Sequence, residues 1–355
     1  MSKHPYSDLT SDKFWSTAAA RIAIKDISNL FTPKHRFTPN ERYATYGSCF
    51  AQRFSGALIS KGFNWVDAEP VTPFHNDESK KLFNYEVFSS RTGNIYTCAM
   101  LLQWIKFSLS PSKAPIENWV RGDRFYDPLR PTIEPGGFLN AEEIHRVRLK
   151  TLTAFKRSII SATVFVFTMG LTEGWRNRDS GLVYSMCPGV VAGKYTADAV
   201  EFVNFNYTDN FTALEECISL LRQLNPTIRI LLTVSPVPNI ATAEKKAHII
   251  TTNSYSKSTL RAVAGDLEKK YDFVDYFPSY ELITAPPIKS QFYNENLRTV
   301  TSQGVEFVMS HFFRHFAQEN SISERTNANQ TETEQNDDID DSCDEILLEA
   351  FNDKK

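Results

Sequence analysis

Disulfide potential is scarce in this sequence. Its five cysteines, Cys49, Cys98, Cys187, Cys217 and Cys343, are odd in number and scattered. That pattern excludes a disulfide framework and argues for a reducing compartment. None of them has metal-site spacing, so no metal and no cofactor is expected. The opening "MSKHPYSDLT" has no apolar core of the kind a secretory leader needs. No uninterrupted apolar run reaches the roughly 18 residues of a membrane span. A cytoplasmic protein without a membrane span is therefore expected. Internal repeats are missing too, and no composition break divides the chain before Glu319.

The formal net charge of −3 hides an asymmetry. From Glu319 to Lys355 there are 12 acidic and 3 basic residues, while the rest of the chain carries 30 acidic and 36 basic. The positive excess of the body is too modest to mark a nucleic-acid binder, and none is expected. The tail is acidic, polar and poor in core formers, the composition of a disordered segment. Within it "EILLEAF", Glu345 to Phe351, reads as one or two helical turns for a protein partner or for the basic body. A merely solvated tail is the plainer reading.

What the chain does contain is 41% hydrophobic residues, enough for a substantial core. Strand and helix signals alternate through most of it. Arg42–Tyr46 reads as a strand, followed by a helix to about Lys61. Asn94–Leu109 is apolar almost all round and reads as a core helix. A helix after the N-cap Asn140 leads to the clearest strand, Ala162–Gly170, continuous and rich in β-branched and aromatic residues. "TALEECISLLRQL" reads as a helix with a Thr212–Glu215 capping box. "IRILLTVSPVP" is a second buried strand, "SKSTLRAVAGDLEKK" a helix, "YDFVDYFPS" a strand and "SQGVEFVMSHFFRHF" the closing helix.

Such alternation implies an α/β fold with a mostly parallel sheet between helices and a site at the carboxyl ends of strands. Gly47, Gly170 and Ser235 fall at such ends. The expected organisation is an N-terminal extension (1–39), one domain (40–318) with a loop-rich insertion around 67–137, and the acidic tail (319–355).

The stretch "RYATYGSCFAQRFSGALISKGF" carries the chemistry. An apolar strand stops at Gly47, presents Ser48 and Cys49, and restarts as an amphipathic helix. A helix N-terminus favours negative charge and a thiolate there is strongly nucleophilic. The plain alternative is an ordinary strand–helix turn with a cysteine packed in the core.

At "GSCFA", Gly47 to Ala51, the sequence resembles the GSCFA family. The likeness extends through "TPFHN", "NYEVFSSRTGNIYT", "GLTEGW", "CPG", "TVSPVP", "YSKSTLRA", "YFPSYE" and "NLRTVTSQGVEFVM". That family is similar in turn to the SGNH/GDSL hydrolases, esterases and acyltransferases on a flavodoxin-like three-layer α/β/α sandwich. The resemblance implies an ester hydrolase or acyltransferase acting on an acylated small molecule or glycan. Counted by position, Gly47 matches the first Gly of the Gly-Asp-Ser block, Ser48 replaces the Asp, and Cys49 takes the nucleophile position. A register shifted by one makes Ser48 the nucleophile.

The Gly-x-Asn-Asp block resembles "GLTE", Gly170 to Glu173, which puts Thr172 where an oxyanion-hole Asn would stand. Gly93 and Asn94 are candidates for the remaining oxyanion donors. The Asp-x-x-His block falls on "NLRT", Asn296 to Thr299, and neither end residue is a general base at neutral pH. His75 and Glu173 are the substitute proton carriers, and Arg298 a candidate anion contact. A shallow electropositive pocket lined by Ser48, Cys49, Gly93, Asn94, Thr172 and Glu173 is expected. The competing class is a non-catalytic binding or scaffold protein that has kept the pocket and lost the chemistry.

Overall fold

The computed structural model describes residues 4–71, 76–314 and 344–352. Strand β1 (Tyr43–Gly47) runs into helix α1 (Cys49–Ser60), and short α2 (Asp77–Leu82) precedes α3 (Cys98–Leu109). A hairpin of β2 (Trp119–Arg121) and β3 (Arg124–Tyr126) leads to α4 (Ala141–Ser161) and β4 (Val164–Met169). Next come β5 (Glu173–Asn177), β6 (Val183–Tyr184), β7 (Val200–Asn204) and α5 (Tyr207–Leu224). The chain continues through β8 (Arg229–Val234), α6 (Ile249–Lys270), β9 (Val274–Phe277), α7 (Ser279–Thr284) and α8 (Ser302–Arg314). No helix among the described residues is long and apolar enough to cross a membrane.

The main sheet is parallel, in the order β1-β4-β8-β9. Trp65 adds a parallel bridge on the outer side of Tyr43, with Val66 N donating to the Tyr43 carbonyl at 2.9 Å. With that rudimentary strand the order reads 2-1-3-4-5, the doubly wound order that places a crevice where the winding reverses, beside β1 and β4.

The sheet's alternation divides the core into two layers. Val164, Val166 and Leu231 face Phe50, Phe54 and Leu58 of α1, with Val308 and Phe312 of α8. Phe165, Phe167, Ile230 and Leu232 face the other way, toward residues of α3, α4, α5 and α6. Strand side chains point alternately to opposite faces, so one continuous apolar strand feeds both layers. The result is an α/β fold with helices on both faces of a mostly parallel sheet.

Residues before Tyr43 join this packing. Ile27, Phe31 and Phe37 are buried in the α1–α8 layer, and Lys34 N donates to Asp275 Oδ1 at 2.8 Å. Asp344–Phe351 forms a 3-10 helix, which fits the turns read there, whereas the expectation for 319–343 lies outside the described residues.

Three helix starts differ from the sequence reading. α3 begins at Cys98, not at Asn94, with Thr97 Oγ1 accepting from Met100 N at 3.1 Å. α5 begins at Tyr207, not at Thr212. Asn206 and Asp209 close a full capping box there, at 3.1 and 2.9 Å, and Asn is as strong an N-cap as Thr. α6 begins at Ile249, where His248 Nδ1 accepts from Ile250 N. Sequence reasoning also missed the antiparallel sheet β6-β5-β7 that follows the β4 end. Its strands are short and, like Arg176 and Glu201, carry charged pairs on a half-buried face, so they lack a strand's apolar alternation.

Candidate active site at the winding crossover

Two glycines let β1 and β4 close at their carboxyl ends. Gly47 has φ +142°, and a Cβ there would lie 2.8 Å from Thr168 N and Cβ, and nearer still to the Thr168 carbonyl oxygen. A Cβ on Gly170 would lie 2.9 Å from Ser48 Cβ. The chain therefore turns straight from β1 into α1 against the β4 end, with Ser48 N donating to the Thr168 carbonyl at 3.1 Å.

Ser48 is the N-cap of α1, yet its side chain does not cap the helix. The residue is buried and its Oγ has no hydrogen-bond partner among the described residues. Cys49, the first residue of α1, is half-exposed. The first-turn amides of a helix have no intrahelical acceptors and point out of its end. Cys49 thus opens the positive end of α1, and Ser48 lies against Gly170 at the β4 end.

The segment 93–97 crosses this edge. Ile95 N donates to the Gly47 carbonyl, and Gly170 and Leu171 amides both donate to the Tyr96 carbonyl. Asn94 is buried, and its Oδ1 accepts from Gln52 Nε2 of α1 at 3.0 Å. Gly93 lies against Arg130. Thr172 is buried, its Oγ1 donating to Asn204 Oδ1 at 2.7 Å and its amide to Ser256 Oγ at 3.0 Å. For Thr172 to serve an oxyanion its hydroxyl must first leave Asn204. Glu173 opens β5 and accepts at Oε1 from Thr242 Oγ1 at 2.8 Å. Ser48, Gly93, Asn94, Thr172 and Glu173 are largely enclosed, so the edge is a closed seam and not the shallow open pocket expected. The 93–97 crossing and the contacts of α6 are the reason.

The "NLRT" stretch forms an Asx turn. Asn296 Oδ1 accepts from Arg298 N, Thr299 N and Thr299 Oγ1, and Asn294 Nδ2 donates to Thr299 Oγ1 at 2.8 Å. Arg298 is buried. His75 lies outside the described residues. Among those described, no three His, Cys, Asp or Glu side chains cluster as metal ligands.

Sequence reasoning missed Lys257. It is fully buried on α6, and its Nζ donates to the Gly170 carbonyl at 2.7 Å. The signal was legible: Lys257 falls on the stripe of Thr252, Ser256, Leu260, Val263 and Leu267, the buried face of α6. A lysine on such a stripe must satisfy its ammonium inside the protein.

The class is an α/β sandwich with a mostly parallel sheet, whose β1–α1 turn places Ser48 and Cys49 at the winding crossover. The chain belongs to the GSCFA family, whose profile matches residues 42–312. No curated protein matches the chain.

Proposed function

We propose that this protein hydrolyses or transfers an acyl group carried as an ester on a small molecule or glycan, in the manner of the SGNH/GDSL hydrolases it resembles. The observation that carries the reading is the placement of Cys49: half-exposed, first in α1, at the winding crossover of the sheet. The Cys49 sulfur attacks the acyl carbon, and the carbonyl electrons move onto oxygen, held by first-turn amides of α1. The C–O bond then breaks and the alcohol leaves with a proton, so that a thioester remains. Water or an acceptor hydroxyl attacks that thioester, giving up its proton as sulfur departs. His75 and Glu173 are the proposed proton carriers, and His75→Ala and Glu173→Gln separate them by which one lowers turnover.

The Asx turn favours a second reading, a binding protein without turnover. Asn296 and Thr299 spend their polar groups on each other and on the local backbone, at the place where the resembled enzymes keep a base. Labelling with electrophilic thiol and serine probes, read by mass spectrometry, distinguishes the two. Acyl transfer predicts modification of the peptide bearing Cys49, and a protein unlabelled at Cys49 and Ser48 that turns over no ester is a binding protein. Turnover is expected to survive Thr299→Ala, since that hydroxyl only closes a turn; a collapse of activity would place Thr299 in the chemistry.

A further inference from the structure

Asn239 is 5% exposed, and neither Oδ1 nor Nδ2 of its side chain has a hydrogen-bond partner among the described residues. A buried amide with both edges unmade is costly, because folding has removed its water and returned nothing. The residue sits in the connection between β8 and α6, and that connection is fixed around the same sheet edge. Ser235 N donates to the Met169 carbonyl, so the β8 end lies beside Gly170. Tyr293 Oη donates to the Pro236 carbonyl at 2.7 Å, Asn239 N to Asn253 Oδ1, and Thr242 Oγ1 to Glu173. Asn253 lies one helical turn before Ser256 and Lys257, which hold Thr172 and Gly170. The backbone that carries this amide is thus tied, through Asn253 and Thr242, to the elements that frame the β4 end.

We infer that the 236–248 connection is a lid whose Asn239 amide binds a substrate group offering a hydrogen-bond acceptor and a donor side by side. Two chemistries present that pair: vicinal hydroxyls and a carboxamide. Without ligand, the unmade amide favours opening, which returns it to water; with ligand, Nδ2 donates to the acceptor and Oδ1 accepts from the donor, and the lid closes. The inference deepens the acyl-transfer reading by stating what the substrate carries near the reacting bond, and it rests on that reading only for the word substrate.

The test uses the full chain, as wild type, Asn239→Leu and Cys49→Ala, with methyl α-mannoside, acetamide and cyclohexanol as probes. Hydrogen exchange of residues 236–248 and the thermal midpoint are the readouts. An apolar isostere relieves an unmade amide, so Asn239→Leu is expected to melt at or about 2 °C above wild type. The mannoside or acetamide is expected to slow exchange of 236–248 in wild type and Cys49→Ala but not in Asn239→Leu. Protection by mannoside assigns vicinal hydroxyls, and protection by acetamide assigns a carboxamide. The inference is overturned if Asn239→Leu melts well below wild type, if it keeps the protection, if cyclohexanol protects equally, or if no probe protects. Binding in Cys49→Ala needs no turnover, so failure of the chemistry and failure of the lid are separately visible.

Discussion

Gly47→Ala is expected to destabilise the protein by about 4 kcal/mol or more, the sum of backbone strain and forced overpacking. At φ +142° an alanine is strained in any surroundings, and here its Cβ would sit against the Thr168 backbone at the β1–β4 pairing. Relief requires β1 to part from β4 or the α1 start to shift, and either moves Cys49. The thermal midpoint should fall by about 10 °C, at a few degrees per kcal/mol for a chain of this size. Gly56→Ala on the exposed side of α1 is the control. A Cβ there meets nothing within 4 Å, and removing a mid-helix glycine should add about 0.5–1 kcal/mol. Equal midpoints for the two variants would mean that the crossover is not the tight point described.

A comparable loss is expected at Asp127. Its carboxylate is fully buried, with Arg148 Nη2 donating to Oδ1 at 2.7 Å and Arg130 Nε to Oδ2 at 3.0 Å. Arg130 also reaches Thr151 Oγ1, which in turn donates to Glu69, so the cluster ties the 67–137 stretch to α4. Asp127→Ala leaves two buried guanidinium groups without their counter-charge, a cost of about 3–5 kcal/mol. In urea the midpoint should fall with the slope unchanged.

The same pair of arginines sets the pH dependence. Burial pushes the Asp127 carboxyl up, but Arg148 and then Arg130 outweigh it and hold the group below its ordinary value. A carboxyl lowered in the folded state contributes stability above its unfolded value, roughly 3.9, and loses it as pH falls through the lower folded value. Asp67, Asp275 and Glu268 are raised by burial and act with the opposite sign, their contribution being lost as pH rises. The Asp127 effect is therefore read as the difference between wild type and Asp127→Asn. That difference should be constant near neutrality and shrink below about pH 4.

Legibility in the sequence followed the range of the interactions. β4 was plain because a continuous apolar run has few other homes, and Asn140 was plain because its cap reaches only to Glu143. The turn at Gly47 and the convergence of Gly47, Gly170 and Ser235 followed from the strand–helix alternation and hold in the fold. The Asn206 cap was hidden by a second plausible capping pair a turn and a half later. The Thr172 bond to Asn204, the Lys257 bond to Gly170 and the Asp127 bond to Arg148 join residues 21 or more positions apart. A single sequence read for local pattern has no signal for such partners beyond a polar side chain on an apolar stripe.

The nucleophile is the central claim, and steady-state turnover of small acyl esters by wild type, Cys49→Ala and Ser48→Ala tests it most directly. The account predicts that Cys49→Ala lowers kcat/KM by about 100-fold or more, the scale for losing a group that acts in the transition state. Ser48→Ala, which removes a buried hydroxyl with no partner among the described residues, should retain most of the activity. Full activity in Cys49→Ala together with a collapse in Ser48→Ala would contradict it and move the nucleophile one residue back along the chain.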